Sequence, residues 1–271
     1  MVKYSSFGIS LQGASHAKKG LPNQDSFAKY VSPDEDFAII TVCDGHGGEK
    51  YIRSAKGAEI AAEQITALMK DFLEKCNLEK IKITDELEKL KRNIISYWRE
   101  EVSKHLEKEP ITEDDFQSIV SDAIRENNIL AYGTTAITVG ITQEYVLCIQ
   151  IGDGDITFLM EDGGKLINPL KNDKRLIANE TTSLCGDMAI HDFRQYLSKE
   201  LPVAVTACTD GISNSYIESD DFRQLTKDIN DELHEKGEKK TIALLEEGLE
   251  RVSKKGSGDD VTLAMIYGKR K

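Results

Sequence analysis

Seven short apolar runs punctuate the chain: SFGISLQG, DFAIITVCD, TTAITVGIT, YVLCIQIGD, DITFLM, PVAVTACTD and DDVTLAMIYG. They are rich in Val, Ile and Thr and bounded by Gly, Asp or Asn, the pattern of sheet strands with at least one buried face. The turns that separate TTAITVGI, YVLCIQIG and DITFLM are too short to hold a crossover helix. That spacing predicts antiparallel meander pairing rather than a doubly wound sheet.

Between the second strand and Tyr132 the apolar period changes from two to three and four. Ala58, Ala61, Ile65, Leu68 and Phe72 form one helical stripe, and Leu87, Leu90, Ile94, Trp98 and Val102 form another, with Asp85 and Glu88 spaced as a capping box. Such stripes need a sheet face to cover. A third helix is expected from Thr112 through Phe116, Ile119, Val120 and Ala123, and a fourth along Ile242, Leu245, Leu249 and Val252, closed by KKGSG. Residues 161–200 show neither period and read equally as a functional segment or as a surface excursion. No Pro/Gly/Ser linker interrupts the interleaving, so residues 1–271 are expected to form a single α+β domain.

Composition narrows the function classes. The chain is 39% hydrophobic and 30% charged, with a formal net charge of -12. That balance argues against sequence-independent binding to nucleic acid or to an anionic membrane surface. No leader-like or membrane-spanning apolar stretch is evident, so a cytoplasmic protein is expected. The five cysteines, with no CxxC spacing, read as reduced and mostly core thiols rather than a zinc or disulfide framework.

Acids recur where apolar runs end. IITVCDG carries Asp44, CIQIGDG carries Asp153 and VTACTDG carries Asp210, while in GSGDDVTL Asp259 and Asp260 precede a run. Any single Asp-Gly is as readily a turn. Jointly they place carboxylates at sheet ends, where mutual repulsion calls for cations or protons. Oxygen-rich ligand sets favour hard divalent ions, so Mg²⁺ or Mn²⁺ is implied. Two such ions a few ångströms apart can hold a shared hydroxide and polarise a phosphoryl group, which permits hydrolysis without a Ser or Cys nucleophile.

The motifs PNQDSF (Pro22 to Phe27), VCDGHGG, YGTTA (Tyr132 to Ala136), IGDGD, CTDGIS and GSGDDVTL, in this order, resemble the metal-dependent Ser/Thr phosphatases of the protein phosphatase 2C family, in the style of bacterial members. The resemblance implies a four-layer α/β/β/α sandwich, two mainly antiparallel sheets flanked by helices, with a mobile flap inside residues 161–200. It implies hydrolysis of phosphoserine or phosphothreonine in a phosphorylated protein substrate supplied by a cognate Ser/Thr kinase, with two Mn²⁺ or Mg²⁺ ions and a possible third. By position, Asp44 matches the acid bridging both ions, Gly45 the carbonyl donor, and Asp210 and Asp259 the remaining carboxylates on the first ion. Asp153 matches the acid of a third metal, and Asp25 the acid holding metal-bound waters. His46 matches the general acid for the leaving alkoxide, a role suited to an imidazole titrating near 6.5.

Three departures stand out. Gln24 replaces the usual Glu, which weakens the second ion and raises the demand for Mn²⁺. Gly20 stands where the family places a phosphate-gripping Arg, leaving Lys18 and Lys19 as candidate phosphate ligands, point charges without a bidentate fork. Asp260 stands where Asn is common, with an extra charge that is harmless if it faces solvent. These changes keep a second reading open, a phosphatase-like binding or regulatory module without turnover.

Overall fold

The structure is a computed structural model, and it describes residues 1–75, 83–112, 115, 122–161, 164–170, 181–216 and 219–269. In chain order the elements are β1 (Lys3–Leu11), α1 (Ala14–Lys19), β2 (Ser26–Val31), β3 (Ala38–Cys43), α2 (Ser54–Lys75), α3 (Ile83–Lys108), α4 (Asp122–Glu126), β4 (Ala136–Ile141), β5 (Val146–Ile151), β6 (Asp155–Leu159), β7 (Leu166–Ile167), α5 (Ala189–Asp192), β8 (Arg194–Ser198), β9 (Ala204–Cys208), α6 (Asp210–Ser213), α7 (Ser219–Lys236), α8 (Glu238–Lys255) and β10 (Val261–Lys269), with a 3-10 turn at Asn128–Tyr132. One sheet has the order β2-β3-β4-β5-β8 and the other β1-β10-β9-β6-β7. Every pairing is antiparallel.

Period-two patterning explains the four layers. Ala38, Ile40 and Val42 on β3, with Val146 and Cys148 on β5, point between the sheets against Ile156, Phe158, Val205, Ala207, Ala264 and Ile266. The alternate residues Ile39, Cys43, Leu147 and Ile149 face α2 and α3, where they meet Ala58, Ile65, Leu90, Ile94 and Trp98. On the far side Phe7, Leu263 and Met265 meet Phe222, Ile229, Leu245 and Leu249 of α7 and α8. Each such buried side chain contributes about 1.5–3 kcal/mol before entropy is counted. Trp98 is fully buried, and its indole N–H donates to the Gly57 carbonyl at 3.0 Å, which satisfies the one polar group that burial would strand. Cys43, Cys148, Cys185 and Cys208 are free buried thiols; Cys76 lies outside the described residues.

The structure departs from the sequence pattern in several places. β4 and β5 pair as expected, but β6 leaves them for the other sheet, so the three runs are not one meander. Gly152, at φ 102, and Gly154, whose missing side chain admits the Cys208 carbonyl, let the chain change sheets within three residues. α3 already includes Ile83, so Asp85 lies inside its first turn, where a carboxylate favours the positive helix end, and Glu88 pairs with Lys91 instead of capping. Most of the helix expected from Thr112 lies outside the described residues; α4 covers the last expected position, Ala123. Strands β7 and β8 and helix α5 fall within residues 161–200, and residues 162–163 and 171–180 of the expected flap lie outside the described residues. No helix among the described residues is long and apolar enough to cross a membrane.

Candidate metal centre

The antiparallel order brings the ends of β3, β5 and β9 and the starts of β2 and β10 to one end of the sandwich. Asp44 follows β3, Asp153 follows β5, Asp210 opens α6 directly after β9, and Asp25 and Asp259 come just before β2 and β10. The GTT of YGTTA wraps the first of these. Thr134 Oγ1 and the Thr135 N–H both donate to the Asp44 carbonyl at 2.8 Å, and the His46 N–H donates to the Gly133 carbonyl at 3.1 Å. The two sheets are tied at this end by Thr209, whose hydroxyl donates to Asp25 Oδ2 at 2.8 Å and accepts the Thr262 N–H at 3.1 Å.

Gly45 has no room for a side chain, since a Cβ would collide with the carbonyl oxygens of Gln24 and Ser54. Its N–H donates to the Gln24 carbonyl at 3.2 Å. Gln24 is itself buried, and its Oε1 has no hydrogen-bond partner. An orphaned buried acceptor beside a ring of acids is what a hydrated cation would satisfy.

The acids carry the electrostatic signature of a cation site. Asp44 is raised well above the usual carboxylate range, first by burial and then by the charges of Asp25 and Asp210; Asp210 alone of the two is also in hydrogen-bond contact with it. Asp25 is raised well above it too, by burial, with the Thr209 hydroxyl opposing and Asp260 adding repulsion. Asp210 is pushed up to about 6 by burial and by Asp153, although Asn214 Nδ2 donates to its Oδ2 at 2.8 Å. Asp153 and its neighbour Asp155 are raised by burial as well, and Arg194 eases both. The principal charges acting on Asp44 are other carboxylates, so a divalent ion fits this donor set.

His46 is not an exposed turn histidine. It is 8% exposed, packed against Tyr51 with ring centroids 4.8 Å apart, and its Nε2 has no hydrogen-bond partner. Burial, helped by Lys50, lowers its pKa to about 4, well below the 6.5 expected from the sequence. Lys18 and Lys19 lie exposed in the last turn of α1, which ends at Gly20 in the left-handed region.

Asp260 overturns an expectation. It does not face solvent: it is buried, its Oδ1 accepts the Gly13 N–H at 2.6 Å, and its Oδ2 accepts the Gln24 N–H at 2.6 Å and meets His16 Nδ1 at 2.8 Å. An acceptor with three donors is needed there, and a carboxylate supplies it. His16 also reaches Asp259, and this pair of contacts went unread in the sequence because 244 residues separate His16 from Asp260. Among the described residues, His16, Asp259 and Asp260 are the one set of three possible ligands whose donor atoms all lie within 4.8 Å of one another. Asp44 and Asp210 form the adjoining pair.

A family profile described as protein phosphatase 2C matches residues 12–249. The chain belongs to the protein phosphatase 2C family. Solved structures share the fold across essentially the whole length. A PstP catalytic domain crystallised with two manganese ions aligns at a TM-score of 0.60 with 17% identity, covering 100% of both chains. The Mycobacterium tuberculosis serine/threonine phosphatase PstP/Ppp aligns at 0.59 with 16% identity, also over 100% of both. PppA of Pseudomonas aeruginosa, described as a key regulatory component of T6SS, aligns at 0.59 with 16% identity over 98% of each chain. No curated protein matches the chain by sequence comparison. The two antiparallel sheets flanked by helices are therefore the protein phosphatase 2C fold, as the motifs implied.

Proposed function

We propose that this chain is a cytoplasmic, metal-dependent phosphoprotein phosphatase that hydrolyses phosphoserine or phosphothreonine placed on its substrates by a cognate kinase. The observation that carries the reading is the pair Asp44 and Asp210, recessed, each repelled by neighbouring carboxylates and held in hydrogen-bond contact at the end of the sandwich. Asp44, the Gly45 carbonyl, Asp210 and Asp259 would hold two Mn²⁺ or Mg²⁺ ions, Asp153 a third, and Asp25 with Gln24 their waters. A bound divalent ion supplies Lewis acidity that polarises a phosphoryl oxygen and makes water acidic enough to attack near neutral pH.

The chain's own residues do the rest. Asp25, kept in place by Thr209, accepts protons from attacking water. His46 holds a proton at Nε2 for the leaving oxygen; a phosphate dianion beside the ring raises its proton affinity back toward neutrality. Tyr51 covers the ring, so the leaving oxygen reaches it when residues 47–51 swing away, a motion that Gly47 and Gly48 permit. Lys18 and Lys19 attract the substrate phosphate as point charges.

A second reading, a phosphatase-like regulator without turnover, is favoured by Gln24 in place of an acid and by Gly20, where a side chain would enter open space and the chain places none. Hydrolysis of para-nitrophenyl phosphate and a phosphothreonine peptide, with Mn²⁺, Mg²⁺ or EDTA and with Asp210→Asn alongside, separates the two. Metal-dependent turnover lost in the variant supports the enzyme. A folded, metal-binding protein silent on both substrates supports the regulator.

A further inference from the structure

His16 lies on α1 with its ring caught between two consecutive acids. Nδ1 is 2.8 Å from Asp260 Oδ2, and Nε2 is 3.4 Å from Asp259 Oδ1. The Asp260 carboxylate already receives the N–H groups of Gly13 and Gln24, so it acts as an acceptor throughout and Nδ1 is the ring nitrogen that carries hydrogen toward it. In the neutral imidazole this leaves Nε2 with a lone pair. That lone pair faces Asp259 Oδ1, which is itself an acceptor and takes the Asp260 N–H at 2.9 Å.

Two such groups facing each other are stable when a cation lies between them, a proton on Nε2 in the metal-free chain or a metal ion that displaces it. Donors about 2.1 Å from a common ion stand about 3.0 Å apart at a right angle and about 3.4 Å apart at the tetrahedral angle. The separation of Nε2 and Oδ1 falls in that range. The His16 side chain is 13% exposed and that of Asp259 52%, so the ring is fixed while the open side of the pair admits the water needed to complete a coordination shell.

We propose that His16 Nε2 and Asp259 Oδ1 are ligands of one divalent transition-metal ion, with Asp260 as the outer carboxylate that orients the ring. The arrangement is the carboxylate–imidazole–metal relay by which proteins fix a ligating histidine. An imidazole ligand suits Zn²⁺, Fe²⁺ or Ni²⁺ best, and in a mixed set with carboxylate it favours Mn²⁺ over Mg²⁺, the harder ion that dehydrates reluctantly. Asp259 is among the carboxylates proposed above for the first ion, so His16 would make that ion discriminate among divalent cations, where oxygen ligands alone, such as Asp44 and the Gly45 carbonyl, do not. The assignment goes beyond the proposed function and holds whether or not the chain hydrolyses a phosphoester.

The test is pulsed EPR of the full chain during Mn²⁺ titration. Electron spin-echo modulation from a directly coordinated ¹⁴N is expected in the wild type and is lost in His16→Asn, whose amide N–H still serves Asp260. In competition, the preference for Mn²⁺ over Mg²⁺ falls roughly tenfold in His16→Asn. A wild-type spectrum without coordinated nitrogen at saturating Mn²⁺ overturns the proposal, and so does a nitrogen signal that persists in His16→Asn, which would assign it to another histidine. A wild-type spectrum without nitrogen overturns the proposal even if His16→Asn folds poorly, and the same measurement on His46→Ala, where the signal is expected to remain, tells His16 from the other histidine near the acids. A nitrogen signal in Asp210→Asn, where turnover is expected to vanish, keeps this inference separate from the fate of the phosphatase reading.

Discussion

Asp260 Oδ2 accepts the backbone N–H of Gln24 at 2.6 Å across 236 residues of sequence. With the Gly13 N–H on the other oxygen, this one side chain pins both ends of the segment carrying α1 to the start of β10. Asp260→Ala strands two buried N–H groups, each costing about 1–3 kcal/mol. A loss of about 3 kcal/mol is expected in urea unfolding of the metal-free protein, with Asp260→Asn in between. An unchanged midpoint for Asp260→Ala would contradict the pinning role.

Asp210→Asn should act in two directions at once. Turnover disappears because a metal carboxylate is lost, while the metal-free fold gains on the order of 1 kcal/mol because a repelled, partly buried acid is removed. Thermal melts in EDTA read the second effect and phosphatase assays the first. Turnover surviving in both Asp44→Asn and Asp210→Asn would end the metal-hydrolase reading.

The same acids set a pH dependence. Asp25, Asp44, Asp153, Asp155 and Asp210 all have folded-state pKa values above the ordinary 3.8, so the folded state binds more protons than the unfolded one as pH falls. Their penalty is fully present above the raised values, about 6 for Asp210, and is relieved as pH drops toward 4. His46, lowered to about 4, opposes this between pH 6.5 and 4, and His105, also lowered, opposes it below 6.5, two groups against five. Metal-free stability is therefore expected to rise from pH 7 to pH 5. With saturating Mn²⁺ the trend reverses, since ions and protons compete for the same oxygens. Denaturant titrations at three pH values, with and without Mn²⁺, check both signs.

His46→Ala is expected to slow a phosphothreonine peptide more than para-nitrophenyl phosphate, because an aryl oxide leaves without protonation. A difference of about tenfold or more in kcat between the two substrates fits general-acid catalysis, whose usual contribution is 10²–10⁴-fold. Equal losses on both would assign His46 to packing against Tyr51.

Gly57→Ala tests the wall behind the site. A Cβ there would overlap the Tyr132 carbonyl, and the Gly57 carbonyl receives the Trp98 indole. The overlap pushes α2 away from the YGTTA turn that holds Asp44. A loss of about 2–3 kcal/mol is expected in chemical unfolding, in the range of core overpacking.

Much of this arrangement was legible in the sequence, for identifiable reasons. The central strands β3, β4, β5 and β9 are buried on both faces and read as apolar runs, and the acids after them stand out against that background. β2 and β8 were missed because they lie at a sheet edge and their residues, SFAKYV and RQYLS, are half-buried with little alternation. α7 was missed although Phe222, Leu225, Ile229 and Leu233 carry a readable three-and-four period. Asp155 was passed over beside Asp153, although the second acid of IGDGD was in plain view. The partnership of His16 with Asp259 and Asp260 is a tertiary fact with no local signature, and so is the burial that lowers His46.

The single Thr209 hydroxyl serves both sides of the sandwich, donating to Asp25 at the rim of one sheet and accepting the Thr262 amide N–H in the other. Because the acids are shared between the sheets in this way, no cooperative subunit of the fold owns the centre. Metal affinity then reports on the docking of the sheets: amide hydrogens at Gln24, Gly45 and Thr262 should exchange only through global opening, and metal should slow all three by the same factor.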